Sequence, residues 1–185
     1  MTTRFPFLTS LICLILMALM PACSTSLAAA ADNMAPNPSF EEGEENAVRG
    51  WEGGHSGVTF TWSEDSARTG QHSICMSDLP AQRSADWTTS EFIPITVGTT
   101  YTFSAYAKGD FDREVYIMVF PVNDNGSYME GIATNITFND TDWTYAEVVF
   151  KAPSGAVAVD LDLGTNNPTD TATTGRICYD DVSFE

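Results

Sequence analysis

The chain has 185 residues, of which 25 are acidic and eight are lysine or arginine, so its formal net charge is −17 at pH 7. A chain of this length suggests a single domain. The excess of negative charge argues against nucleic acids and anionic membranes as partners, because both would repel the protein.

The first 31 residues have the layout of a secretory signal peptide. Arg4 precedes an apolar run over residues 5–20, and small residues follow it, ending in the alanine stretch 28–31. The run is shorter than the ~20 apolar residues that a membrane span needs, and Pro21 interrupts it. We therefore expect residues 1–31 to be a cleaved signal peptide and the protein to be secreted or held at the cell surface. A lipid anchor on Cys23 is the alternative.

From residue 57 onward, short runs of alternating apolar and polar residues predict β-strands, and no run predicts a convincing helix. Glycine, proline and asparagine mark turns between these runs. Residues 32–185 are thus predicted to form an all-β domain, a β-sandwich or jelly roll. The predicted strands are GVTFTW (57–62), HSICMS (72–77), DWTTSEFIPI (86–95), VGTTYTFSAYAKG (97–109), EVYIMVFPVN (114–123), WTYAEVVFKAP (143–153), AVAVDLDLG (156–164) and RICYDDVSFE (176–185).

Alternation within these strands separates a core face from a second, unusual face. The residues that alternate with the core residues combine aromatic side chains with carboxylates. Such a surface suits a sugar, because aromatic rings stack on the apolar face of a pyranose and carboxylates accept hydrogen bonds from its hydroxyl groups. The alternative is that this face is another half of the core or lies beneath loops. The core set is Phe103, Ala105, Val115, Ile117, Val119, Val159, Leu161 and Leu163, and the opposite set is Tyr106, Tyr116, Met118, Phe120, Asp160 and Asp162.

The last strand carries two adjacent acids, Asp180 and Asp181. Neighbours in a strand point to opposite faces, so one of the two should face inward, where an unpaired charge is costly. Two cysteines, Cys75 and Cys178, remain after the predicted cleavage. In an exported protein a disulfide is the default, and two buried free thiols are the alternative.

The mature chain resembles the carbohydrate-binding modules of families four and nine and their relatives. The resemblance extends from Asn33 to Glu185 and depends on an ordered set of motifs. These are the Asn-Pro-x-Phe-Glu entry in NMAPNPSFEEG (33–43), then GWEGG (50–54), SEDSARTGQHSICMS (63–77), IPITVGTTYTFSAYAKG (93–109), DWTYAEVVFKAPSGAVAVDLDL (142–163) and the Tyr-Asp-Asp-Val end in GRICYDDVSFE (175–185).

This resemblance implies a galactose-binding-like β-sandwich jelly roll that binds polysaccharide in a cleft on its concave sheet and does not cleave it. It also implies a structural calcium away from the sugar, with ligands from Glu41, Asp65 and Asp180 and a backbone carbonyl near Arg68 or Thr69. Calcium takes six to eight hard oxygens, so it would stabilise the folded chain. The alternative is that the two acids cap or pair with backbone at an edge strand. The same topology places Cys75 beside Cys178 and implies that they form a disulfide.

The resemblance further implies aromatic sugar contacts across one sheet, with Trp87 as the first choice. The resemblance implies that Trp143, at the start of its strand, packs in the core, and Trp51 is also expected to be structural. The predicted sugar-binding residues are Trp87, Tyr106, Tyr116, Phe120, Gln82, Arg83, Asp160 and Asp162. We expect a monomer that binds a polysaccharide or oligosaccharide and works beside secreted glycoside hydrolases.

Three other functions stay open at this point: a glycosidase, a lyase, and an adhesion or structural protein. Asp160 and Asp162 could lie ~7 Å apart on one strand face, a spacing that glycosidases use, although two acids on one small strand give no evident reason for a raised pKa. A lyase would need a basic cleft, which the net charge opposes. An adhesion or structural sandwich without sugar binding is favoured if Trp87, Tyr116 and Phe120 are buried beneath loops.

Overall fold

The structure is a computed structural model, and it describes residues 32–54, 57–109, 114–137 and 142–185. The predicted signal peptide, with Cys23, lies outside the described residues. Within the described ranges no helix is long and apolar enough to span a membrane. In the same ranges the chain forms thirteen strands: β1 (Gly43–Glu44), β2 (Ala47–Val48), β3 (Trp51–Gly53), β4 (Thr59–Ser63), β5 (Ser73–Leu79), β6 (Arg83–Thr89), β7 (Ile93–Pro94), β8 (Thr100–Gly109), β9 (Glu114–Asn123), β10 (Ile132–Ile136), β11 (Thr144–Lys151), β12 (Ala156–Asn167) and β13 (Thr173–Phe184).

These strands form two antiparallel sheets and one small hairpin. The first sheet has the order β10–β9–β12–β6–β3, and β7 also pairs with β12. The second sheet has the order β11–β8–β13–β5–β4, and β1 pairs with β2. The all-β sandwich predicted from the sequence is confirmed, and no part of the described chain is helical.

The core lies between the two sheets and follows the alternation of the sequence. In β9 the side chains of Val115, Ile117 and Val119 are fully buried, while the intervening residues are half-buried or exposed. All eight residues predicted to face the core are fully buried. A fully buried Leu, Ile, Val or Phe side chain contributes about 1.5–3 kcal/mol relative to leaving it exposed, so this set is a main source of stability.

A β-bulge in β13 explains the two adjacent acids. The register with β8 shifts between Asp180 and Ser183, and Asp181 has a positive φ of 49°. Tyr179 and Val182 are three positions apart, so strict alternation would place them on opposite faces. The extra residue of the bulge shifts the alternation by one, and both side chains belong to the core. Asp180 is completely buried, as predicted for one acid of the pair, but it lies on the outer side of the second sheet and not in the core.

The predicted disulfide is present. Cys75 in β5 and Cys178 in β13 are direct cross-strand partners, and their sulfur atoms are bonded. The bond joins residues 103 positions apart in the sequence and ties the last strand to the first third of the domain.

The tryptophans do not all lie where the sequence places them. Trp51 is buried and donates a hydrogen bond to the Pro36 carbonyl at 2.8 Å, in agreement with a structural role. Trp143 is only partly buried and lies outside the core, with the Lys108 ammonium 6.0 Å from its ring centroid. The expected core position of Trp143 is therefore wrong. Trp143 is two positions before Tyr145, which faces outward on β11, so Trp143 faces outward as well.

Candidate functional site

The outer face of the first sheet brings together residues from three neighbouring strands. Asp162 on β12 is directly opposite Met118 of β9 on one side and Thr88 of β6 on the other. One step along, Gly164 is opposite Tyr116 and Asp86. Because alternate residues share a face, these strands present a continuous surface of acids and aromatic rings.

A pocket of about 300 Å³ lies on this face, and we call it the central pocket. Its walls combine three carboxylates with two aromatic rings and one hydroxyl. The lining residues are Asp86, Thr88, Phe120, Tyr128, Asp160 and Asp162. The predicted residues Phe120, Asp160 and Asp162 thus meet in one place, and Tyr116 lies on the same face beside them.

Asp160 is held in place by three hydroxyl groups. Thr88 and Thr89 each donate to its Oδ1 atom at 2.7 Å, and Tyr128 donates to its Oδ2 atom at 2.8 Å. Asp160 is only 5% exposed. Buried carboxylates need such partners, since an unpaired buried charge costs several kcal/mol. The three bonds fix both the carboxylate and the Tyr128 ring at the mouth of the pocket.

Asp162 has a different electrostatic environment. Burial, together with the negative charges of Asp86 and Asp160, raises the pKa of Asp162 to about 7, while a hydrogen bond from Thr88 acts in the opposite direction. Burial and the bond to Asp160 likewise raise the pKa of Tyr128 to about 12. At neutral pH the pocket therefore holds closely spaced acids, one of them partly protonated.

Gly164 allows Tyr116 to lie flat against the sheet. A Cβ atom at position 164 would overlap the Tyr116 ring, so only glycine leaves room for it. Burial in this position raises the pKa of Tyr116 above its ordinary value. Tyr116 thus forms part of the floor of the face next to the central pocket.

A row of three aromatic rings leads from the central pocket towards a larger cavity. Phe120 and Tyr128 pack edge to face with centroids 5.7 Å apart, and Tyr128 and Phe92 follow at 5.8 Å. Phe92 is 44% exposed and also lines a cavity of about 690 Å³ bounded by segments 34–37 and 90–94. This larger cavity has few aromatic walls, so we place the site at the central pocket and regard the cavity as its continuation.

Trp87 is not a surface residue, and its predicted role as a sugar contact is wrong. It is 2% exposed, donates a hydrogen bond to the Cys75 carbonyl at 3.2 Å, and packs edge to face on Phe60. In β6 the residues on either side, Asp86 and Thr88, point outward, so Trp87 must point into the core.

Three further predicted contacts lie away from the central pocket. Tyr106 belongs to the second sheet, where the Arg68 guanidinium lies 3.4 Å from its ring centroid and Tyr145 packs at 5.2 Å. Gln82 precedes β6 and bonds to Asp170 at 2.5 Å. Arg83 shares the inward parity of Trp87 and lies at the far end of β6, roughly 17 Å along the strand from Thr88. These three residues therefore do not join Phe120, Asp160 and Asp162 at the central pocket.

The predicted metal ligands Asp180 and Glu41 both bind the segment that precedes β5. The Oδ2 atom of Asp180 accepts the backbone N–H groups of Arg68 and Thr69 at 2.7 and 3.1 Å, and its Oδ1 atom accepts that of Asp181. Glu41 accepts the backbone N–H groups of Gln71 and His72, both at 2.9 Å. Burial raises the pKa of Asp180 to about 6, while the three N–H bonds act against this rise.

The other predicted ligands do not join them. The Asp65 side chain is 82% exposed and pairs with Arg176 at 3.4 Å. The Arg68 N–H, and not its carbonyl, points at Asp180. In the described part of the chain, no three histidine, cysteine, aspartate or glutamate side chains are grouped closely enough to hold a metal ion. Glu41 and Asp180 lie against the same segment, but their oxygen atoms accept its backbone N–H groups, and Asp65 lies apart from both.

Four residues of the site were missed by sequence reasoning. Asp86 and Thr88 flank Trp87 in β6, so they face outward because Trp87 faces the core. Predicting Trp87 at the surface implied the opposite direction for both neighbours. Phe92 and Tyr128 lie outside the long strands, and Tyr128 follows the Asn123–Gly126 turn. A lone aromatic residue outside the long strands gives no alternation from which its contacts could be predicted.

Comparisons with known proteins agree with this architecture. A family model described as "Carbohydrate binding domain" matches residues 32–171. The CBM22-1 xylan-binding domain of Xyn10C from Paenibacillus barcinonensis has a TM-score of 0.63 at 15% identity, over 85% of this chain and 96% of that one. A family 16 carbohydrate-binding module-2 has a TM-score of 0.59 at 21% identity, over 83% and 99%.

A likeness to an enzyme chain is partial. The enzymatically active domain of tailspike protein 4 of bacteriophage CBA120 has a TM-score of 0.65 at 18% identity over 82% of this chain, but this chain spans only 21% of that one. No curated protein matches the sequence. At these identities the solved structures show the fold, whereas the family model covers most of the described domain. The chain therefore belongs to the carbohydrate-binding domain family of the family four and nine type.

Proposed function

We propose that this protein is a non-catalytic module that binds a polysaccharide on the outer face of the first sheet, with the central pocket as its main subsite. The observation that carries this proposal is the meeting of Phe120 and Tyr128 with three carboxylates in one pocket. Rings supply apolar contact to a sugar, and carboxylates accept hydrogen bonds from its hydroxyl groups. Family membership supports a sugar as the ligand.

The aromatic row extends the site beyond one sugar. Phe120, Tyr128 and Phe92 follow one another at spacings of 5.7 and 5.8 Å, and Phe92 borders the larger cavity. A linear polymer could contact all three rings, so we propose that the cleft binds internal stretches of a chain. Such a module would work as a monomer beside secreted glycoside hydrolases.

Binding of the domain to a panel of soluble and insoluble glycans, by affinity electrophoresis and titration calorimetry, tests this proposal. We expect Phe120→Ala and Tyr128→Ala to weaken binding at least about tenfold, which corresponds to ~1.4 kcal/mol. Tyr145→Ala is the matched control, since Tyr145 is 48% exposed on the second sheet. Equal affinities for all three variants, or binding to no glycan, would contradict the proposal and favour an adhesion role.

Glycoside hydrolysis is the second candidate, and one observation favours it. The sequence offered no reason for a raised pKa at Asp160 or Asp162, but the structure supplies one, because burial raises the pKa of Asp162 to about 7. A carboxylic acid that stays protonated near neutral pH can act as a general acid beside a second carboxylate. Against this, both oxygen atoms of Asp160 are already bonded to hydroxyl groups. Release of reducing ends from a bound glycan, lost in Asp162→Asn, would establish hydrolysis.

We further propose that the protein is secreted after cleavage of residues 1–31. The Cys75–Cys178 disulfide supports an oxidising compartment. Intact mass of the exported protein tests this, and a mass that includes a lipid on Cys23 would establish an anchored form instead.

We also propose a structural calcium bound by Glu41 and Asp180. Both carboxylates lie against the segment between Arg68 and His72, where they accept backbone N–H groups. Calcium in proteins takes carboxylate oxygens together with backbone carbonyl oxygens, so the ion would need carbonyl groups of this segment as well. The ion would stabilise the fold and take no part in sugar recognition.

A further inference from the structure

The aromatic row runs across the strands of the first sheet, at the level of Asp160. Phe120 on β9 is the direct cross-strand partner of Asp160 on β12. On the other side of β12, Phe92 immediately precedes β7, whose first residue pairs with Val159, so Phe92 comes level with Asp160 as well. Tyr128 lies between the two rings, with its hydroxyl bonded to Asp160. A sugar chain that contacts all three rings therefore crosses β12 above Asp160.

The central pocket extends away from this row, along the strands. Asp162 and Thr88 are direct partners on β12 and β6, and they lie two residues further along than the row. Asp86 lies two residues further again, level with Gly164 and Tyr116. At ~3.4 Å per residue the pocket thus extends roughly 13 Å from the row, in the direction of the strands and at a large angle to the row.

The far end of the pocket meets polar side chains that bind one another. Beyond Tyr116, the Glu114 carboxylate accepts amide N–H groups from Asn135 at 3.0 Å and from Asn166 at 3.3 Å. These three residues come from the neighbouring strands β10, β9 and β12, and in the described parts of these strands no outward aromatic residue follows Tyr116. Rings therefore continue along the row, towards the larger cavity, and end in the direction of the pocket.

The size and polarity of the pocket fit one sugar unit. Its volume of about 300 Å³ is at the lower end of the ~300–1,000 Å³ range of small-molecule pockets. The Asp160 oxygens are already bonded to hydroxyl groups of the protein. Burial raises the pKa of Asp162 to about 7, so near neutral pH its carboxyl group can both donate and accept hydrogen bonds. These contacts suit the hydroxyl groups of an uncharged sugar.

Taking polysaccharide binding at this site as given, we propose that the main chain of the polymer lies along the aromatic row and that a single-sugar branch enters the central pocket, so that the ligand is a branched, uncharged polysaccharide. An unbranched chain on the row would leave the pocket to water, whereas a branch adds contacts with Asp162 and Thr88 there. An anionic branch is a poorer occupant, because none of the six residues that line the pocket is basic.

The experiment uses oligosaccharides from arabinoxylan, galactomannan and xyloglucan, each compared with the same main chain after enzymatic removal of its branches, by titration calorimetry. We expect at least one branched oligosaccharide to bind at least about tenfold more tightly than its own unbranched main chain. Thr88→Phe, which places a ring in the pocket, should remove most of this preference. Ala133→Phe is the matched control and should keep it, since Ala133 is exposed on the same face, opposite Met118, and does not line the pocket.

The comparison of the two forms on wild type depends on neither variant, and thermal unfolding shows whether each variant is folded. Equal affinities of both forms in every pair, or tighter binding of the unbranched form, would overturn this proposal and leave polysaccharide binding intact. Equal loss of the preference in folded Thr88→Phe and Ala133→Phe would also overturn it, because the branch would then lie outside the pocket. Binding to neither form, and to no glycan of a wider panel, would overturn polysaccharide binding and this proposal together.

Discussion

The Tyr128 hydroxyl donates a hydrogen bond to Oδ2 of Asp160 at 2.8 Å, and this contact joins a residue outside the long strands to the central strand of the first sheet. Tyr128 lies just past the turn after β9, whereas Asp160 lies in the middle of β12 and is 5% exposed. The bond holds the Tyr128 ring between Phe120 and Phe92, so the aromatic row depends on it.

Tyr128→Phe should lower the free energy of unfolding by about 1 kcal/mol, because the substitution leaves one Asp160 oxygen without its hydroxyl partner. The ring remains, so glycan binding should fall less than in Tyr128→Ala. Urea denaturation followed by tryptophan fluorescence measures the stability change. Tyr145→Phe, which removes an exposed bond to Glu147, should change it by less than about 0.5 kcal/mol. Equal losses in both variants would contradict a special role for the Asp160 bond.

Asp162→Asn should stabilise the protein at alkaline pH. The pKa of Asp162 is about 7 in the folded chain and near its ordinary value of 3.8 in the unfolded chain, so between pH 3.8 and pH 7 the folded state binds more protons than the unfolded state. Stability from this group therefore falls as pH rises from about 4 to 7. The difference of about three between the folded and unfolded pKa of Asp162 lowers the free energy of unfolding by at most about 4 kcal/mol at pH 8.

The measurement is the free energy of unfolding of wild type and Asp162→Asn at pH 4 and pH 8. The gain in the variant should be small at pH 4 and on the order of 2 kcal/mol or more at pH 8. A stability difference that does not change with pH would show that Asp162 titrates normally.

Trp87→Ala should destabilise the fold by about 3–5 kcal/mol, because it leaves a large cavity beneath the first sheet. Trp87→Phe should cost less, since it keeps most of the apolar volume and loses the bond to the Cys75 carbonyl. Under conditions in which Trp87→Phe is fully folded, its glycan affinity should match that of wild type. A loss of affinity in the folded variant would indicate that this residue supports the site after all.

Replacing both Cys75 and Cys178 by alanine should lower stability by about 2–5 kcal/mol. The disulfide closes a loop between residues 103 positions apart, and long loops lose the most entropy when closed in the unfolded chain. Chemical denaturation of the oxidised wild type, the reduced wild type and the double variant measures this effect. Reduced wild type and the double variant should agree, and no difference from oxidised wild type would contradict the expectation.

Calcium should raise the melting temperature and a chelator should lower it, because binding to the folded state alone stabilises a protein. Glu41→Gln should abolish the calcium response, whereas Asp65→Asn should keep it, since Asp65 is exposed and pairs with Arg176. Differential scanning calorimetry with and without calcium tests both variants. If neither calcium nor chelator shifts wild type, the backbone N–H groups around Asp180 are sufficient to stabilise that buried acid.

Much of the fold could be predicted from the sequence, because apolar and polar residues alternate along each long strand and the apolar residues mark its buried face. The core residues of β8, β9 and β12 are the ones that alternation predicts, and the cross-strand disulfide follows from the family resemblance. The grouping of Phe120 with Asp160 and Asp162 also followed from parity. Alternation is a local pattern, so it predicts which residues of one strand face the core. It does not predict which other strands that strand pairs with.

The pattern of residues along the chain is sufficient to predict the all-β class, the alternation of core and surface, and an acidic, aromatic face. Which sheet each strand joins follows from pairing in three dimensions, and this pairing separates Tyr106 from Tyr116. It also decided that Trp87 faces the core, that Asp180 is buried by backbone N–H groups on the outer side, and that Tyr128 reaches Asp160. These outcomes depend on pairing between distant segments and on the bulge at Asp181, and no local period of the sequence encodes such long-range contacts.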